Sequence, residues 1–599
     1  MLMRIYDAII IGSGAAGYSA ADWLYKEGVT NIALITENRL YGTSRNTGSD
    51  KQTYYKISMD GLSEDSPYKM AKDLCSTGCC DGIKAYKQAV NSSKCFMRLC
   101  DYGVNFPTDE FGGYPGYKTD HDSTSRATSV GPLTSRIMTQ RLEDVVLSRN
   151  KTPLFDNRQV TKIITENGGV SGIAVLNTET GKPEIFAAKN IMAATGAPAC
   201  IYESSVYPQS QHGMTGILID AGAKLCNYSQ WQYGLSSVDF RWNVSGSFMQ
   251  VIPRFVSIDE NGEEREFLNS YFENADETYS NIFLKGYQWP FSYDRAELSS
   301  KVDIAVHNET KLGRKVYLDF TRNPADFDFE SLSDEAKNYL YETGATADSP
   351  FERLKKLNSK AIDVYARQGI DISKDKLRIS VCAQHNNGGI YTDENYETDI
   401  KGLYVIGEAA GSFGLTRPGG SALNDTQTGG LVCAKHIAQN NRPNPSESVI
   451  ADALKKAENI ADNFVTGDAD YSYIPREMSN YAAFMRNDEM CRELHSEISS
   501  LIENYPLCHK SLSDYYYDLD MLKSAKALLA TITAEMPVTG SRGGAIYTKS
   551  GSVISENKDY RKYLTITDDG KVYFEETAPV PTPKKPFEAY LEQIEEKYE

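Results

Sequence analysis

The chain has 599 residues, 41% hydrophobic and 24% charged, the composition of a globular protein with room for several cores. Its 63 basic and 81 acidic side chains leave a formal charge of −18, which repels phosphate polyanions and argues against nucleic acid as a partner. No run approaches the ~18 apolar residues of a membrane helix, so no membrane span is expected.

The first element is the most informative. Asp7-Ala-Ile-Ile-Ile predicts a short buried strand that runs into Gly12-Ser-Gly14-Ala15-Ala16-Gly17 and then an Ala-rich helix, Tyr18 to Tyr25. Gly12 allows the tight turn, Gly14 lets bare backbone approach a pyrophosphate, and Gly17 lets helix and strand pack closely. The N–H groups around Ala15 and Ala16 would face the phosphates, favoured by the helix dipole. A second strand, Ile32 to Thr36, ends at Glu37, placed to accept a ribose hydroxyl. The alternative is a glycine-rich turn with no ligand. Because this strand starts close to Met1, no signal peptide is expected, which predicts a cytoplasmic protein with reduced thiols.

Cys75, Cys79, Cys80, Cys95 and Cys100 cluster, but their spacing fits no zinc or ferredoxin pattern. They read as small apolar residues on packed helices, and no metal is expected. Asn157 to Thr165 and Gly169 to Leu176 flank an Asn-Gly-Gly turn, a hairpin signal. Ala188 to Gly196 predicts a strand ending in Ala194-Thr195-Gly196. Residues 240–370 are rich in charge and aromatics, with helices. Gly402 to Gly411 predicts a buried strand stopping at Gly407-Glu408, and Arg417 to Asn424 leads into a helix, Thr426 to Gln439.

From 441 onward apolar residues recur at helical spacing over Glu447 to Phe464, Arg476 to Asn504 and Leu519 to Ala534. Tyr560 to Glu576 predicts a hairpin around Asp568-Asp-Gly570, and the Pro-rich Ala578 to Pro586 a linker or strap. The expected class is α/β: a Rossmann-like nucleotide-binding domain (1–239 and 371–440) interrupted by an α+β capping domain (240–370). A mainly helical C-terminal domain with a Pro-rich tail (441–599) follows. No second G-x-G-x-x-G appears, which favours FAD as the single tightly held dinucleotide.

These blocks together resemble the flavoprotein superfamily of fumarate reductase, succinate dehydrogenase, L-aspartate oxidase and adenylylsulfate reductase. The likeness is carried by the N-terminal fingerprint with Glu37, Ala194-Thr-Gly196, His385-Asn-Asn-Gly-Gly-Ile390 and Gly402 to Asn424; Ser541-Arg-Gly-Gly544 matches the family's C-terminal turn. The resemblance implies FAD, a mobile cap and hydride exchange with a small organic acid. It assigns Gly388 and Gly389 to backbone contact with the flavin and Glu408 to a ribose or ribityl hydroxyl. Ser421, Ala422 and Leu423 would open a helix facing the flavin N1/O2 edge, where negative charge develops. Val160, Ser44 and Ser49 complete the cofactor set, with Thr47 as a further donor. His385 and Arg417 would hold a substrate carboxylate, a task suited to the planar guanidinium fork. The alternatives are a neutral histidine beside a turn and a structural ion pair. Where the family's flavin-linked histidine would sit, Tyr41 to Gln52 has none, so FAD is expected to be noncovalent. Lys51 would lie near the flavin or the substrate; the alternative is a polar loop.

Three departures matter. Gln230-Trp-Gln-Tyr-Gly234 has Gly234 where fumarate reductases keep a histidine, and Phe248 to Phe255 lacks their Thr-Glu pair and glycine-rich run. Their proton-donating arginine falls at Ser299, with Arg295 one helical turn earlier as the substitute. A dianion with one unpaired carboxylate in a dry site costs several kcal/mol. The expected substrate therefore has one anionic or polar end and a second end that is larger, neutral or aromatic, with Tyr228, Trp231 and Tyr233 as candidate packing partners; core packing is the alternative for those rings. Two classes of function remain: an enzyme reducing or forming an activated C=C bond, with Arg295, Lys51 or a tyrosine as proton source, or a flavin-bearing subunit serving an iron–sulfur or other electron-donor protein. An oxidase is a third.

Overall fold

The computed structural model describes residues 4–60 and 64–598. A five-stranded parallel sheet orders Leu403–Val405, Ile191–Ala193, Ala8–Ile11, Ile32–Ile35 and Leu154–Phe155. Ala8–Ile11 is central and wholly buried, as expected for an uninterrupted aliphatic run covered on both faces. Helices Ala15–Lys26 and Ser421–Gln439 pack on each other; small residues allow it, since a Cβ on Gly430 would lie 3.1 Å from the Ala20 backbone nitrogen.

The expected hairpin forms as Arg158–Glu166 and Gly169–Asn177, with Asn167 and Gly168 at positive φ as a tight hairpin turn requires. Lys182–Ala188 and Ile5–Tyr6 complete its sheet. A third, six-stranded sheet orders Trp242–Asn243, Trp231–Ser237, Leu377–Asn386, Lys315–Asp319, Arg254–Ile258 and Glu264–Glu266. This sheet crosses both expected domain boundaries, near 239 and 370. Strands from the nucleotide-binding part and from the insert share one hydrogen-bonded ladder, and His385 stands near its end. The insert adds helices Ala275–Leu284, Lys301–Lys311, Asp334–Thr343 and Pro350–Ala366.

The C-terminal part corrects one expectation. The helix predicted from Arg476 to Asn504 is two, Ile474–Tyr481 and Asp488–Glu503, separated by the strand Met485–Asn487 that pairs with Ile546–Lys549. Arg486 drives the break. It is fully buried and donates to the carbonyls of Ala483 and Ser229 and to Tyr547 Oη, bonds that a helical backbone at this point would not place. Asn487 then caps the next helix through Met490 N at 2.9 Å. The last long helix spans Leu512–Thr539, and the hairpin Tyr563–Asp568 with Lys571–Glu576 adds to Leu225–Cys226. The Pro-rich stretch lies on the protein, Ala578 O accepting from Gly82 N at 2.8 Å. Cys79, Cys80 and Cys95 are buried, and burial pushes the Cys95 thiol up to about 11. No helix among the described residues is long and apolar enough to cross a membrane.

Candidate active site

A cavity of ≈ 760 Å³ opens at the carboxyl ends of the parallel strands, where ligands of such sheets bind, and extends beneath the insert. At its floor, helix Ala15–Lys26 starts without a side-chain cap. Ala15 N donates to Ser44 Oγ at 3.1 Å, and Gly12, Gly14, Ala15, Ala16 and Ser44 all line the cavity. The glycines have three different duties. Gly12 has φ +104°, a conformation open to glycine, and an added Cβ would stand 2.5 Å from Ala194 O. A Cβ on Gly17 would sit 1.8 Å from Gly12 O, so this residue serves packing and does not face the cavity. A Cβ on Gly14 would meet only the Ser44 side chain, its Oγ at 3.1 Å, leaving that backbone open to a phosphate.

Glu37 lines the same end, with no hydrogen bond to its carboxylate among the described residues, and burial pushes its carboxyl up to about 7. Thr195 Oγ1 is buried without a partner, and Gly196, Val160 and Ser49 line the wall. Uncapped amides, a lone carboxylate and an orphaned hydroxyl fit the phosphates and sugar hydroxyls of a dinucleotide.

The far end gathers the residues expected to meet a substrate. Arg417 reaches the cavity from the loop before helix Ser421–Gln439. Its Nε lies 3.3 Å from His385 Nδ1, its Nη1 3.5 Å from Pro418 O, and its guanidinium 5.7 Å from the Phe413 ring centre. Among the described residues it has no ion pair. Desolvation lowers it to about 10, the cost of an enclosed cation with no direct counter-ion. His385 Nδ1 is also 3.1 Å from Asn387 Oδ1, and its Nε2 is buried without a hydrogen bond, 3.9 Å from Glu408 Oε1. Burial, then Arg417, holds the imidazole well below its ordinary range and therefore neutral. Glu408 accepts from Asn386 N at 3.0 Å and from Tyr207 Oη; burial pushes it up to about 7.

Several expected site residues lie elsewhere. Ala422 and Leu423 line the cavity, but Ser421 is buried with Oγ donating to Pro418 O at 2.7 Å. Gly388 and Gly389 lie off the cavity, packed against backbone: their Cβ positions fall 1.9 Å from Asn227 O and 2.4 Å from Ala409 O. Arg295 does not line the cavity. It belongs to the turn Tyr293–Arg295, ahead of the helix that begins at Lys301, and Asp120 binds its guanidinium fork with two 2.9 Å bonds. Tyr228, Trp231 and Tyr233 are core residues, each at most 1% exposed, with Tyr233 Oη on Tyr202 Oη and the indole of Trp231 on Tyr228 O. The aromatic wall comes instead from Trp289, Phe283, Tyr287 and Tyr339 of the insert, which no motif marked.

A glycine turn at the switch point of a parallel sheet, sharing one cavity with an unpaired cation, defines a dinucleotide-dependent redox protein. Residues 7–423 match the model of the FAD binding domain family, and the chain belongs to that family. It is 25% identical to a subunit of the fumarate reductase (CoM/CoB) of Methanothermobacter marburgensis over 83% of this chain and 85% of that one. It is 24% identical to the succinate dehydrogenase flavoprotein subunit of Rickettsia conorii over 95% and 94%. A solved structure of E. coli quinol fumarate reductase FrdA superposes with a TM-score of 0.74 at 19% identity, covering 98% of each chain, and shares the fold. The protein is an FAD-dependent oxidoreductase.

Glu37 makes its own contribution testable. A ribose hydroxyl would donate to the ionised carboxylate, which below pH 7 must first lose a proton. FAD affinity of the apoprotein is therefore expected to be flat above pH 7 and to fall about tenfold per unit below it. Glu37→Gln should remove one unit of that slope in a fluorescence titration at pH 5.5 to 8; an unchanged slope would take Glu37 off the ribose.

Proposed function

We propose that the protein transfers a hydride between FAD and an activated C=C or CH–CH bond of a small organic acid other than fumarate. The observation that carries this reading is the unpaired guanidinium of Arg417 beside the orphaned Nε2 of His385, in the cavity that also holds the dinucleotide turn. FAD held at the turn Gly12 to Gly14 and Ser44 would, when reduced, supply the hydride, and one proton from the protein would complete saturation of the C=C bond. Arg417 holds the carboxylate through two N–H donors, and His385 orients it; such fixation is what a near-attack geometry requires. We take Lys51 as the proton source, a reading supported by its place on the cavity lining with its ammonium 5.4 Å from the Tyr117 ring centre. The insert helices exclude water over this end. FAD is held noncovalently, since no histidine stands between Tyr41 and Gln52.

The test is anaerobic. Photoreduced holoprotein is mixed with a panel of α,β-unsaturated acids, and flavin absorbance and alkene are followed together. One acid reoxidising the flavin with its alkene consumed is the expected result; reoxidation by air alone would replace the reading with an oxidase. A second reading, a flavin-bearing component of an electron-transfer complex in the cytoplasm, draws support from relatives named as subunits. It predicts silence toward every acid until an iron–sulfur protein is added.

A further inference from the structure

We infer that Trp289 sets substrate choice: the acid carries a flat, uncharged aryl group on the carbon of the reacting bond far from the carboxylate, packed against this indole, and small or dicarboxylic enoates are disfavoured. This rests on the hydride-transfer reading above. The first observation is steric. A Cβ on Gly234 would lie 2.7 Å from Trp289 Cζ2, 2.9 Å from its Cε2 and 2.9 Å from Gln384 Oε1. The indole thus fills the space where a side chain from strand Trp231–Ser237 would reach the ligand. The second is polar. Trp289 Nε1 donates to Gln384 Oε1 at 2.7 Å, and Gln384 Nε2 donates to Ser236 Oγ at 3.1 Å. The indole N–H is thereby spent on Gln384 and one Gln384 amide N–H on Ser236, so neither is aimed at a carboxylate.

The third is charge. The lysine nearest the indole, Lys285, lies 5.1 Å from its ring centre, fully buried, and is neutralised by Asp303 at 2.7 Å. On the cavity side the insert contributes Glu335, which takes the Tyr287 hydroxyl, an anion that would repel a second carboxylate. The insert adds further rings beside the indole: Phe283 and Tyr339 meet edge to face at 5.4 Å, and Tyr339 Oη is satisfied by Gln250 at 3.2 Å. An enclosed, donor-poor wall of rings favours a ring.

The test uses (E)-cinnamate, crotonate and fumarate with anaerobically reduced holoprotein, alongside binding to the oxidised holoprotein read as a perturbation of the flavin spectrum. Cinnamate is expected to exceed crotonate at least tenfold in kcat/KM. Trp289→Ala should lose at least tenfold in the ratio of cinnamate to crotonate kcat/KM, whereas Trp289→Phe, which keeps a ring and guards against misfolding of the alanine variant, should retain most of the preference. Fumarate used or bound as well as cinnamate would overturn the inference and point to Lys51 as a second anchor. A preference that survives in Trp289→Ala, or crotonate equal to cinnamate, would also overturn it. Cinnamate that perturbs the spectrum of the wild type but not of Trp289→Ala, without reoxidising the flavin, would uphold the aryl slot and defeat the hydride-transfer reading. Failure of every acid both to bind and to react would defeat both.

Discussion

Arg417→Ala is expected to abolish turnover while FAD stays bound at full stoichiometry. The guanidinium has no ion pair among the described residues; it spends Nε on His385 and holds Pro418 O only at 3.5 Å through Nη1, which leaves Nη2, and Nη1 on release of that long bond, for a ligand. Losing one partner of an enclosed charge pair costs about 3–5 kcal/mol, roughly 10²–10³ or more in kcat/KM. Arg417→Lys restores the charge without the fork and should recover only part of the rate, with the loss mainly in kcat because positioning, not charge, is what the lysine fails to restore. The dinucleotide turn is built from other elements, so flavin absorbance per protein should match the wild type in both variants. Turnover by Arg417→Ala at the wild-type rate would remove this residue from the site.

The second large effect separates two glycines of one turn. In Gly17→Ala the new methyl would stand 1.8 Å from Gly12 O, and helix Ala15–Lys26 can admit it only by leaving the sheet. Overpacking of this kind costs ~1–3 kcal/mol and more where backbone must move, so the variant should melt several degrees lower and purify with little flavin. In Gly14→Ala the methyl meets only the Ser44 side chain, its Oγ at 3.1 Å, and projects where phosphate is expected. That apoprotein should melt close to the wild type yet bind FAD far more weakly. Equal melting temperatures for the two variants, or full flavin in Gly14→Ala, would contradict these roles.

Legibility followed chemistry that is local in the chain. The strand, turn, helix and second strand of the nucleotide unit are consecutive, and hydrophobic period and glycine spacing report them directly. Arg417 and His385 stand 32 positions apart, yet each lay in a block whose resemblance was strong, and the fold brings their side-chain nitrogens to 3.3 Å. Arg295 was misplaced because counting along a helix presumes that the helix reaches the residue, whereas this one starts at Lys301. The unbroken helix expected from Arg476 failed for a related reason: apolar spacing continues across the gap, and the buried bonds of Arg486 that interrupt it involve residues far off in sequence.

By itself, the order of residues determined the class of cofactor, the parallel sheet that carries its glycine turn and the arginine proposed as the anchor for an acid, because each depends on a short stretch of backbone with a special turn or charge. Only the tertiary structure decided what faces that anchor. Trp289 and Gly234 belong to different segments, and nothing in either announces that an indole will occupy the space beside a bare backbone. Which rings line the cavity and which, like Trp231, vanish into the core is settled by how the insert and the six-stranded sheet close on one another, a matter of packing between distant parts of the chain.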